Sequence, residues 1–134
     1  MPTDPGPFDL DKVRLVLNPN HLAEPKPVTP NFYAELGDFA GHILFQQFEF
    51  DKAWPTWEMH PEGDEIVYLV EGDTDFALSL PDGEKTVRVS QPGSYVIVPK
   101  GVWHTARPHK KTRMVFFTPG NGTVNAKTPG GEPL

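Results

Sequence analysis

Two carboxylates and two histidines stand out in this 134-residue chain as residues whose types and spacing suit metal chemistry. In the segment Trp57-Glu58-Met59-His60-Pro61-Glu62-Gly63-Asp64-Glu65, Glu58 and His60 lie two apart. On a strand they share a face. Glu65 opens the next strand after a tight turn and comes back beside them if its parity matches. His104 follows a rigid turn at Pro99-Lys100-Gly101. Two imidazoles and two carboxylates suit a divalent transition metal such as Fe, Mn or Zn, and the carboxylates balance its charge.

These residues need strands to position them, and the centre of the chain supplies strand patterns. Residues 42–50 form the first clear one, followed by 56–60 and 65–71. Residues 74–80 and 85–90 flank Pro81-Asp82-Gly83-Glu84, where Asp-Gly marks a hairpin. Strands at 94–98, 102–106 and 112–117 complete the set. Short strands at regular spacing with Gly/Pro turns indicate a sandwich or barrel rather than a βα fold. Val67, Leu69, Phe76, Leu78 and Phe45 are core candidates.

The flanks read differently. Residues 1–7 are expected to be disordered. Phe8 to Leu17 is ambiguous between helix and strand. Residues 18–30 hold Pro19, Pro25, Pro27 and Pro30 and read as an extended connector. Such an arm needs a surface, on its own barrel or on a partner subunit. Asn31 to Gly37 suits one helical turn. The expected division is an arm and connector over 1–40, a barrel over 41–118 and a loose tail over 119–134.

Composition excludes several classes. The chain has no cysteine, so disulfides, thiolate metal sites and cysteine nucleophiles are ruled out. Its formal charge is −6 and it carries no long basic tract, which argues against a nucleic-acid partner. No apolar run is long enough to span a bilayer. The opening Met-Pro-Thr-Asp-Pro-Gly-Pro lacks the character of a signal peptide, so a cytoplasmic location is expected.

At the motif level the chain resembles the cupin superfamily, in particular its small single-domain members. The family's second motif is Gly, five residues, Pro-x-Gly, two residues, His; Gly93, Pro99, Gly101 and His104 match it in full. The first motif is His-x-His, three or four residues, Glu, six residues, Gly. His60, Glu65 and Gly72 match it, with Glu58 where the first His belongs. Lys52 and Pro108 depart from the motifs at their ends. The resemblance implies an all-β, cupin-type double-stranded β-helix, a jelly-roll barrel, to which the chain's own prolines add an extended Pro-rich N-terminal arm; resemblance and arm together lead to the expectation of a homodimer. It also implies that His60, Glu65 and His104 bind the metal, with Glu58 a substitute ligand. If Glu58 is not a ligand, it becomes the candidate catalytic base.

The implied function is a metal-dependent enzyme on a small organic molecule, dioxygenase-type first, with lyase and isomerase chemistry open. The alternatives are a non-catalytic small-ligand module and a metal-free isomerase or epimerase. Fold does not decide between them. Elsewhere, Trp54, Trp57 and Trp103 read as packing residues. The run from Arg107 to Arg113 reads as a solvated hairpin tip with His109 exposed. Asn121-Gly122-Thr123 reads as a turn, and His21 and His42 lack partners at ligand spacing.

Overall fold

The computed structural model describes residues 4–134. Part of the disorder expected over 1–7 therefore falls on 1–3, outside the described residues; residues 4–7 carry no helix or strand. Eleven strands follow among the described residues, with one short helix. They are β1 (Val13–Leu17), β2 (Ala23–Pro27), α1 (Phe32–Glu35), β3 (Ile43–Phe50), β4 (Trp57–Met59), β5 (Glu65–Glu71) and β6 (Thr74–Leu80), then β7 (Gly83–Val89), β8 (Tyr95–Val98), β9 (Trp103–Pro108), β10 (Thr112–Pro119) and β11 (Val124–Ala126).

All pairings are antiparallel. One sheet has six strands in the order β2-β1-β3-β10-β5-β8, the other five in the order β11-β4-β9-β6-β7. The alternation on β5 shows how the sequence builds the layer between them. Glu65, Val67 and Leu69 point inward and are at most 1% exposed, while Ile66, Tyr68 and Val70 point outward. Val67 and Leu69 meet Phe76, Met114 and Phe116 in the main core cluster. Burying each of these side chains contributes about 1.5–3 kcal/mol. A second cluster of Val16, Phe32, Phe39 and Leu44 packs the arm onto the sheet.

The architecture corrects the expected jelly-roll barrel with double-stranded β-helix closure. Both sheets are antiparallel, but among the described residues neither closes into a barrel. The reason lies in the arm. Its hairpin, β1 with β2, takes the edge of β3, pairing Leu15 with Phe45 and Leu17 with Ile43. The six-stranded sheet then ends at β2, where Pro25 and Pro27 carry no N–H to donate to a further strand. The arm thus lies on its own chain.

Two turns also differ from the simplest reading. At the β6–β7 hairpin Gly83 pairs with Leu80, so Pro81-Asp82 is the loop and Gly83, at φ 126°, begins the return strand. Gly72, at φ 118°, sits against the β10 backbone, where an added Cβ would come 2.5 Å from Thr112 Cα. Only glycine fits there without displacing main chain. The basic run is paired across strands: Arg107 with Glu84, His109 with Asp75, and both Lys111 and Arg113 with Glu49. Among the described residues no helix is long and apolar enough to cross a membrane.

Candidate metal centre

Four donors converge from two sheets. Glu58 lies on β4, His60 just beyond it and His104 on β9; Glu58 and His104 are direct cross-strand partners. Glu65 begins β5 in the opposite sheet. One ligand atom from each of the four lies within 4.8 Å of all the others. Two backbone ties bring the loops together. The Gly101 amide donates to the His60 carbonyl at 2.9 Å, and the Lys100 amide donates to Asp64 Oδ1 at 2.8 Å. The turns at 61–64 and 99–101 are thereby held side by side, with Gly101 at φ 77°.

The inward atoms are close but not hydrogen-bonded. His60 Nε2 is 3.1 Å from Glu65 Oε2 and 3.2 Å from Glu58 Oε1; His104 Nε2 is 3.1 Å from Glu65 Oε1. Yet His60 Nε2, His104 Nε2 and Glu65 Oε1 are buried with no hydrogen-bond partner. Buried polar atoms are ordinarily satisfied, so three orphans facing one point require explanation. The outer atoms of the same side chains are satisfied. His104 Nδ1 lies 3.2 Å from the Val102 carbonyl, which can only accept, so Nδ1 carries a proton, and once the ring is neutral its Nε2 lone pair faces inward. His60 Nδ1 pairs with Thr123 Oγ1 at 2.8 Å, and the Thr118 hydroxyl donates to Glu65 Oε2 at 2.6 Å.

The electrostatics fit the same conclusion. Burial opposes charge on His60 and His104, but the Glu58 and Glu65 carboxylates outweigh it and raise both to about 9. Burial would raise Glu65, but the two imidazoles hold it down to about 2. Glu58 is likewise lowered against its own desolvation by His104 and His60. The pocket therefore calls for positive charge between the carboxylates, supplied by protons or by a cation. The donor set of two imidazole nitrogens and carboxylate oxygens, with three orphaned atoms converging, suits a divalent metal ion.

A cleft of about 750 Å³ opens beside the cluster. Glu58, His60 and Glu65 line it, together with Trp54, Phe50 and Phe116. Trp54 therefore does more than pack an outer surface: its ring stands edge-on to Phe76 and 6.4 Å from the His104 ring. Trp57, whose parity turns it away from the site, lies 5.7 Å from the Arg107 guanidinium.

The structure brings all four sequence candidates together. Thr118, Thr123 and Asn121 are additions. Asn121 Oδ1 accepts the Phe39 amide at 2.7 Å and its amide donates to Asp38, joining the arm to the 120–123 turn. The segment read as a loose tail contains β11, which pairs with β4 and places Asn125 opposite Glu58. No local spacing signals these contacts, because Thr118 and Thr123 lie 53 and 63 residues from their partners.

Thr118 yields a direct prediction. Thr118→Val keeps the side-chain volume but removes the hydroxyl that orients Glu65. Metal affinity, read by chelator competition, is expected to fall about 10–100-fold, as for loss of other outer partners. An unchanged affinity would show that Glu65 is held by its backbone alone.

No protein-family profile matches the chain, and no curated protein is similar to it. Solved structures are. A variant oxalate decarboxylase from Bacillus subtilis aligns with a TM-score of 0.54 at 14% identity, over 73% of this chain and 26% of that one. A recombinant oxalate oxidase in complex with glycolate aligns with a TM-score of 0.52 at 20% identity, over 61% and 45%. A cupin-2 domain protein from Shewanella frigidimarina aligns with a TM-score of 0.47 at 23% identity, over 57% and 70%. At such identities the likeness concerns the fold alone. In this chain that fold is two antiparallel sheets with a buried His/Glu cluster between them.

Proposed function

We propose that Glu58, His60, Glu65 and His104 hold one divalent metal, Fe, Mn or Zn, and that the protein is a metal-dependent enzyme acting on a small organic molecule. Dioxygenase-type chemistry is the first candidate. The carrying observation is the convergence of three buried, unpartnered ligand atoms on one point. A bound metal of this class supplies Lewis acidity and, for Fe or Mn, one-electron redox chemistry.

The chain's own residues divide the remaining work. His60, Glu65 and His104 are at most 3% exposed and fixed by outer partners, so they hold position. Glu58 is the accessible member, with 27% of its side chain exposed, and it faces the cleft. If Glu58 is not a ligand, it is the proton acceptor for a substrate O–H or C–H placed there. The aromatic wall excludes water from one side of the substrate.

Elemental analysis of protein purified without a histidine tag or chelator tests the reading, alongside oxygen-uptake screening. Near one equivalent of metal is expected in wild type. Loss of metal in Glu58→Gln makes Glu58 a ligand; metal retained with activity down at least 100-fold, within the range typical of a general base, makes it the base instead. Wild type that stays metal-free after reconstitution would overturn the proposal. Metal without turnover would leave the rival supported by the same cleft, a small-ligand binding module.

The reading includes a homodimer. Its support is the outer face of the six-stranded sheet, where Ile66, Tyr68, Val70, Tyr95 and Ile97 are all at least 37% exposed on neighbouring strands β5 and β8. β8 is also the end strand of that sheet, and such a face suits an isologous contact. Ile97→Lys is expected to shift the sedimentation coefficient from dimer to monomer with metal content unchanged. A wild-type monomer at high concentration would refute the dimer.

A further inference from the structure

Resting on the metal-enzyme reading, we infer that the substrate is an uncharged molecule with an apolar, aromatic-sized body, and that the cleft selects against free carboxylates. The inference comes from the charges along the cleft. Among the described residues, neither lysine nor arginine lines it. Its charged groups are the metal-site residues and Glu49. Glu49 is already paired with Lys111 at 2.8 Å and with Arg113 at 2.6 Å, and Arg113 is shared with Glu71 at 3.7 Å, so these two cations are balanced by two carboxylates. A divalent ion on Glu58 and Glu65 brings the centre to zero formal charge. No positive charge is left over for a substrate carboxylate away from the metal, and burying an unpaired carboxylate is strongly unfavourable.

The walls select in the same direction. Leu36, Phe39, Leu44, Phe50, Trp54 and Phe116 supply apolar and aromatic surface. Within that wall the Tyr33 hydroxyl is committed to Gln46 Oε1 at 2.9 Å. Asn125, paired in register with Glu58, places a neutral polar side chain beside the centre. The cleft volume lies within the usual range for small-molecule sites. The ligand that fits presents oxygen atoms to the metal and a ring or alkyl body to the wall.

A matched pair tests this: 4-methylcatechol and 3,4-dihydroxybenzoate share a chelating head and differ in one carboxylate on the body. Both are titrated by calorimetry into metal-loaded protein, with metal content measured on the same sample. The neutral member is expected to bind at least tenfold more tightly. Leu36→Lys, which puts a cation on the wall where it meets the second core cluster, is expected to narrow that preference at least threefold with metal content unchanged. Equal or tighter binding of the benzoate, or no binding of 4-methylcatechol to metal-loaded protein, would overturn the inference. If the protein takes up no metal, it is the metal-enzyme reading that fails. The same titration on metal-free protein then decides the cleft's preference by the same criterion.

Discussion

His104→Ala is expected to purify folded and nearly metal-free. His104 is fully buried on β9, its Nδ1 proton is directed to the Val102 carbonyl, and its Nε2 has no other partner. Removing the ring leaves at most three donors and a void between the sheets. Metal affinity should fall by more than the roughly 10–100-fold typical of losing an outer partner. Elemental analysis should read below about a tenth of the wild-type equivalent under these conditions. The cavity also costs stability, on the order of 2–5 kcal/mol if it behaves like other large-to-small core changes. His104→Gln, closer in size, separates the two effects: it should regain part of the stability and little of the metal. Full metal occupancy in both variants would remove His104 from the site.

The second large effect is a pH dependence that belongs to the metal-free protein alone. His60 and His104 sit at about 9 instead of 6.5 because the Glu58 and Glu65 carboxylates hold their protons. A base whose folded pKa is raised contributes stability that is complete below its unfolded value. That contribution is lost as pH climbs through the folded value. Metal-free protein should therefore lose a few kcal/mol between pH 6.5 and 9, on the order set by shifts of this size. Glu65, held at about 2, contributes in the opposite window: its share is present above about 4.5 and is lost as pH falls toward 2. Thermal melts from pH 4 to 9 should peak between about 4.5 and 6.5. In metal-loaded protein the imidazoles are already neutral, so the alkaline fall should disappear over the same range. An alkaline fall of equal size with and without metal would mean the histidines are not its source.

How much of this was legible in the sequence follows from the range of each interaction. The eight central strands were readable because alternation and Gly/Pro turns are local; Val67 and Leu69 against Ile66 and Tyr68 show it plainly. The four site residues were readable because the i, i+2 pair, one short turn and a Pro-x-Gly turn carry them. Barrel closure was misjudged because it depends on which strand takes the edge of β3. Phe8 to Leu17 gave no clear period, so the competing β1–β2 hairpin was not visible. Thr118, Thr123 and Asn121 were missed for a related reason. Thr118 and Thr123 each act through one long-range hydrogen bond and Asn121 through two, and a threonine beside a turn carries no mark of its partner.

The split of the donors between two layers has a mechanical consequence. Glu65 belongs to one sheet, while Glu58, His60 and His104 belong to the other. Affinity for the ion is therefore a gauge of the separation between the layers. A change that lets them drift by a few tenths of an ångström should register as weaker binding, even far from any ligand. Phe76→Leu, in the fully buried packing between the sheets, is such a change. The bound ion would in turn rivet the layers together. Amide exchange on β5 and β9 should slow in unison on metal addition, while the outlying β1–β2 hairpin keeps its own pace.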